Sequence, residues 1–179
     1  MKVPWYWLLG LFLMTMTAGV LAAGQTSLWY LVFGRFPAPM FWLIALVYMS
    51  VTRPLWEATL FTYLLVCVIS PFTIFPLSSF LIFCLLLMTA LMLIRERVFW
   101  GGSTYFMLMV AVASVVAPLV FWAVSRWTDK RPVSMPDIFE WLIAGLLTTL
   151  LSLPFYRLYQ WFDRLAAQDA GNEGRVGPR

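Results

Sequence analysis

The chain has 179 residues, of which 63% are apolar and 11% charged, with a mean hydropathy of +0.86 and a pI near 9.3. Soluble domains carry roughly a quarter of their residues as charges, so the composition excludes an ordinary soluble fold, and no stretch outside the apolar blocks is long enough to bury a second core. There is no histidine, which excludes histidine-dependent hydrolases and histidine zinc sites; the basic balance comes mostly from arginines flanking apolar blocks, the pattern of orientation signals rather than of nucleic-acid binding.

After Met1-Lys2 the chain is free of charge from Val3 to Gly34. Trp5 to Ala23 predicts a first membrane span, retained as an uncleaved anchor although Val20-Leu21-Ala22-Ala23-Gly24 resembles a signal cleavage site. The aromatic stretch Leu28 to Phe36 is expected at the membrane interface. Pro37-Ala38-Pro39 then opens a second span, Met40 to Thr52, between Arg35 and Arg53. Their 18-residue separation corresponds to about 27 Å of helix, enough to bring both guanidinium groups to headgroups.

Arg53-Pro54 ends that span and Pro54 with Glu57 suits the first turn of the next. Arg53 and Glu57 are four residues apart and are candidates for an interfacial ion pair. From Ala58 to Ile94 there is again no charge, over 37 residues, far beyond the ~20 that one crossing needs. This run must fold back on itself. Its bend is Ser70 to Ser79, where Pro71 and Pro76 interrupt helix and Ser78 and Ser79 are able to cap the next one. The third span is expected to end near Ser70 and the fourth to run from Ser79 to Ile94. Cys67 and Cys84 flank the bend and read as small buried hydrophobes rather than a disulfide.

Gly101 to Thr104 predicts a turn and cap before a fifth span, Tyr105 to Ser125. In the polar loop Arg126 to Pro136, Ser134, Pro136 and Asp137 resemble a helix start. A sixth span begins at Asp137 or Ile138, with Pro154 kinking it and Tyr156, Arg157, Tyr159, Trp161 and Arg164 forming an interfacial belt. The expected architecture is all-α, a polytopic membrane protein with six transmembrane helices in one domain, residues 1–165, followed by a polar tail, 166–179, of disordered composition. Six crossings place both termini on one side, and arginine and lysine placement puts that side in the cytoplasm.

Every charged residue falls at an expected helix end, in a loop or in the tail, which argues against ion-driven transport. No catalytic, metal-binding or cofactor-binding set is expected, because the hydroxyls within spans have no base within reach and bond mostly to their own helix backbone. Small residues mark faces where helices approach closely. Ala18, Gly19, Ala22 and Ala23, Ala113 and Ala117, and Gly145 and Thr149 are candidates for a partner-helix interface, with internal packing as the alternative. On the first reading, Gly19→Leu or Ala113→Leu weakens partner association and leaves insertion intact. Ser70, Thr73, Ser78 and Ser79 are the candidate polar residues of a pocket at the hairpin.

The order of these features resembles the bacterial rod shape-determining protein MreD family, small integral membrane proteins of the cell-elongation machinery. The resemblance covers roughly residues 5 to 165. It rests on the N-terminal span, the proline-led Pro39-Met40-Phe41-Trp42-Leu43-Ile44-Ala45-Leu46-Val47-Tyr48, the Arg53-Pro54 junction, the hairpin, and Arg131-Pro132 followed by Pro136-Asp137-Ile138-Phe139 and an arginine-bearing helix. Ser70 stands near where the family often carries an aspartate, and no glycine follows within residues 35–100. The resemblance implies a non-enzymatic scaffold in the inner membrane. Its expected partner is the bitopic protein MreC and, through MreC, a SEDS glycosyltransferase and a class B penicillin-binding protein that synthesise peptidoglycan. The family's fold is also similar to the six-helix substrate-capture subunits of ECF-type vitamin transporters, which supplies the alternative function: capture of a small molecule in a pocket open to the outer face.

Overall fold

Leu43 through Ser50, eight residues in succession, are all buried. They belong to α2 (Phe41–Thr52), the centre of a bundle completed by α1 (Trp5–Phe33), α3 (Leu55–Ile69), α4 (Leu77–Arg97), α5 (Ser103–Thr128) and α6 (Ile138–Glu173), with a 3-10 turn at Ser70–Phe72. The computed structural model describes residues 5–34, 36–73, 76–97, 102–128 and 137–173, and within them all side chains except those of 5–9, 26–28, 30 and 166–173. The expectations for Arg35, Ser134, Pro136 and the Arg131-Pro132 pair lie outside the described residues. Every other helix packs against α2. A helix apolar on all faces finds such surroundings only at the middle of a bundle.

The described residues contain helices and no strand. Among the described residues, four helical segments are long and apolar enough to cross a membrane: Leu55–Phe72, Leu77–Arg97, Ser103–Thr128 and Ile138–Leu165. The second span falls short of the expectation drawn from Arg35 and Arg53. Residues 37–40 are not helical, and the 12 residues of α2 rise only about 18 Å. Conversely, α1 is longer than expected. The segment read as interfacial continues the helix to Phe33, 29 residues in all, and it ends where Gly34 takes φ +62°, a left-handed conformation that glycine adopts without cost.

The hairpin forms as expected, with different edges. The 3-10 turn carries Pro71 in its first turn, and α4 begins at Leu77. Ser78 and Ser79 therefore lie inside its first turn instead of capping it. Asp137 does cap α6: its carboxylate accepts a hydrogen bond from the Phe139 N–H at 3.0 Å. That helix runs on to Glu173, eight residues into the segment whose composition reads as tail.

A short buried helix must have its backbone ends satisfied, since an unpaired peptide group in an apolar surround costs several kcal/mol. Both ends of α2 meet partners from other helices. At the start, the Met40 N–H donates to Thr148 Oγ1 of α6 at 2.8 Å. At the finish, Arg95 Nη1 of α4 donates to the Arg53 carbonyl at 2.7 Å and the Ser50 carbonyl at 3.3 Å, placing a cation at the negative end of the helix dipole.

These contacts define two ends of the bundle. One is an arginine end, where the C-termini of α2 and α4, the start of α3 and the Tyr156–Arg164 part of α6 converge around Tyr48 and Arg53. At the other, the cavity end, Trp42 of α2 packs on Phe80 of α4 at 5.4 Å and Thr128 of α5 bonds Ser79 of α4 at 2.9 Å. Successive helices from α2 to α6 thus run in alternating directions.

Candidate functional site

Between the first two turns of α2, α4 and α6 and the second half of α5 lies a cavity of about 540 Å³. Aromatic rings build most of its wall. Trp42, Phe80, Phe83 and Phe121 meet at ring-centroid distances of 5.3 to 6.0 Å, mostly edge to face, the arrangement that ring quadrupoles favour. Trp122 and Trp141 line another part, with Pro118 and Ala117 of α5, and Gln25, Thr73 and Glu140 supply the polar side chains.

The wall on α5 and α6 follows from a single proline. Pro118 lies within α5 and has no N–H, so the carbonyl of Ser114, four residues earlier, loses its helical partner. Trp141 Nε1 of α6 donates to that carbonyl at 2.9 Å, which fixes the indole at the cavity edge. Room for this approach comes from Gly145, where an added Cβ would lie 3.1 Å from Ser114 Oγ. Trp141→Phe is expected to cost about 1–2 kcal/mol in thermal unfolding, because it strands a buried carbonyl. Pro118→Ala added to it supplies the missing N–H and is expected to recover most of the loss; an additive double mutant would contradict the assignment.

Of the four hairpin residues expected to form a pocket, the structure brings one to the cavity. Thr73 lines it, with its hydroxyl donating to the Ser70 carbonyl at 3.2 Å. Ser70 starts the 3-10 turn, Ser79 is buried and accepts from Thr128 Oγ1, and Ser78 is exposed. Sequence reasoning missed the aromatic wall. Its rings come from four helices, and singly each reads as packing or lipid contact.

At the arginine end the expected pair of Arg53 and Glu57 is present, Nη1 to Oε2 at 3.5 Å, but it is the weaker arm of a larger node. Asp163 of α6 bonds Arg53 Nη2 and accepts from Tyr48 Oη at 2.5 Å. One carboxylate thereby joins α6 to α2 twice, while Arg95 ties α4 to the same point. Glu57 Oε2 is buried and has no hydrogen-bond partner of its own.

The candidate partner-helix residues lie mostly inside the bundle. Ala18, Ala22, Ala113 and Ala117 are almost wholly buried, Gly145 is buried, and Ala23 and Thr149 are partly so. A Cβ on Gly19 would come 2.5 Å from Val68 Cγ1 of α3. Gly19 thus closes against α3 and Gly145 against Ser114 of α5, which is the internal-packing alternative. The hydroxyls in spans behave as expected, with Thr59, Thr62, Thr89, Thr148 and Thr149 bonding carbonyls four residues back. Cys84 is buried and Cys67 exposed, both as free thiols, so Cys67 faces outward contrary to its reading as buried.

Fold and site together define an all-helical, membrane-embedded bundle with an aromatic cavity at one end and an arginine–carboxylate node at the other. No protein-family model, curated protein or solved structure matches this chain.

Proposed function

We propose that the chain is a non-enzymatic membrane scaffold of the cell-wall elongation machinery, belonging with the MreD family and holding the transmembrane helix of an MreC-like partner. Through that partner it supports a SEDS glycosyltransferase and a class B penicillin-binding protein, and so rod shape and peptidoglycan synthesis. The observation that carries this reading is the separation of roles on the molecule. Described charges gather at the two ends, whereas the flank between them is apolar, with Leu108, Val112, Val115 and Leu119 of α5 beside Leu142, Leu146, Leu150 and Leu153 of α6 all exposed. Their spacing makes two adjoining outward stripes. Inside lipid a partner helix is held by close packing on such a surface.

In this proposal the chain crosses the bacterial inner membrane six times with both termini cytoplasmic. Arg53, Arg95, Arg97, Arg157 and Arg164 belong to the arginine end and Arg126 to the cavity end, which orients the arginine end inward. Affinity isolation of the tagged chain in mild detergent tests the scaffold. A single-span membrane protein is expected to co-purify, and Val112→Trp with Leu146→Trp is expected to reduce its recovery several-fold at unchanged yield of the bundle. Isolation of the chain free of any cell-wall synthesis protein would contradict the proposal.

The cavity favours a second reading, the capture subunit of an ECF-like transporter. Pockets for small molecules are typically about 300–1,000 Å³, mostly apolar, with a few placed polar groups, and this one meets each of those terms.

A further inference from the structure

We propose that the cavity takes an organic ammonium ion with an apolar body, its cation lying between the Glu140 carboxylate and the indole faces of the wall. The inference deepens the capture reading and rests on it; the scaffold reading is independent of it.

Three indoles, Trp42, Trp122 and Trp141, line one space with a single charged residue, Glu140. Glu140 is in the first turn of α6 and has no ion-pair partner among the described residues. Its carboxylate complements the positive end of that helix, and a residue placed only for this purpose needs no aromatic company. Indole faces attract cations more strongly than any other side-chain ring, and indoles combined with an anion recognise alkylammonium groups. One face of Trp122 is taken by the chain's own Arg126 guanidinium, 4.6 Å from the ring centroid, which leaves Trp42, Trp141 and the other face of Trp122 to a ligand. Arg126 and Glu140 are both exposed, but only Glu140 lines the cavity, so among the described residues no lining cation offsets it.

Three further groups bear on the sign of the ligand. The starts of α2 and α4 border the same space, through Met40 and Trp42 and through Phe80, and each helix N-terminus carries about half a positive charge. The Met40 N–H of α2 is engaged by Thr148, and a full carboxylate charge outweighs what remains of the two. Trp141 likewise directs its N–H into α5, so this ring offers a ligand its face instead of a donor. The rest of the wall, Phe80, Phe83 and Phe121, suits an apolar or aromatic body.

The test is isothermal titration of the purified full-length chain in detergent with three probes sharing one body: phenylpropyltrimethylammonium, phenylpropanol and phenylbutyrate. The cation is expected to bind saturably at one site and the other two at least tenfold more weakly. Glu140→Gln is expected to weaken the cation about tenfold and Trp122→Leu severalfold, while Glu96→Gln at the arginine end leaves binding unchanged. Displacement of the probe by phosphatidylethanolamine would assign the ammonium to a lipid headgroup, and failure to displace it would assign it to a free solute; either keeps the proposal. Equal binding of all three probes, tighter binding of the anion, or cation binding indifferent to Glu140→Gln would overturn the ammonium assignment and leave a capture site. Binding of none would overturn the capture reading as well. The comparison of probes on the native chain decides the matter even where a variant fails to fold.

Discussion

Asp163→Ala is expected to destabilise the bundle by about 2–3 kcal/mol, read as a fall in the midpoint of thermal unfolding in detergent. Removing this carboxylate takes the acceptor from the Tyr48 hydroxyl and leaves Arg53 with only the longer Glu57 pair, and hydrogen bonds to a charged group contribute about 1.5–3 kcal/mol each. Loss of one member of a fully buried pair costs about 3–5 kcal/mol; here the Arg53 and Asp163 side chains are 28% and 27% exposed, and solvent screening lowers the figure. Asp163→Asn keeps an acceptor and is expected to lose less. Arg53→Ala combined with Asp163→Ala should cost less than the sum of the two, by about 1 kcal/mol or more of coupling. Strict additivity would mean that the node does not hold α6 to α2.

Gly19→Leu is expected to have the larger effect, with loss of most folded protein in detergent extracts. The first atom any side chain adds there meets Val68 Cγ1 at 2.5 Å, well inside van der Waals contact, and overpacking of this kind costs about 1–3 kcal/mol even for small additions. Gly19→Ala should therefore destabilise measurably, and Val68→Ala in the same chain should restore it by removing the atom in the way. This differs from the expectation that position 19 serves a partner. A partner-binding glycine would tolerate leucine in the isolated protein and fail only in co-purification.

Why some of this could be read from the sequence and some could not is a matter of where the determining contacts lie. The hairpin was legible because two prolines and an unbroken run of 37 uncharged residues leave a membrane chain no other course. The cap at Asp137 was legible for the same local reason. The central place of α2 was not. In water, a helix apolar all round is conspicuous as a core element, but in lipid the outer helices are equally apolar, so periodicity no longer separates centre from flank. Arg53 and Glu57 were found through their spacing, whereas Asp163 lies 110 residues from Arg53 among interfacial aromatics that gave it an ordinary appearance. The cavity shares that limitation. Thr73 could be anticipated from the bend, but the wall requires knowing that Pro118 frees a carbonyl and that Trp141 turns to meet it.

Packing also explains why the small-residue signal pointed inward. Gly19, Ala113, Ala117 and Gly145 let helices approach closely whatever those helices belong to, and a chain with six of its own to assemble uses them first. In the scaffold proposed above, partner contact is left to the larger side chains of the outer stripes on α5 and α6.

Scaffold and capture site alike require the two polar ends of the bundle to lie at opposite faces of a membrane. Single cysteines introduced at Ser78 and at Glu96, in a chain with Cys67 and Cys84 replaced by Ala, test this directly with a membrane-impermeant maleimide applied to intact cells. Labelling at position 78, with position 96 reacting only after the cells are opened, is the predicted result. Equal labelling of both positions in intact cells would contradict it.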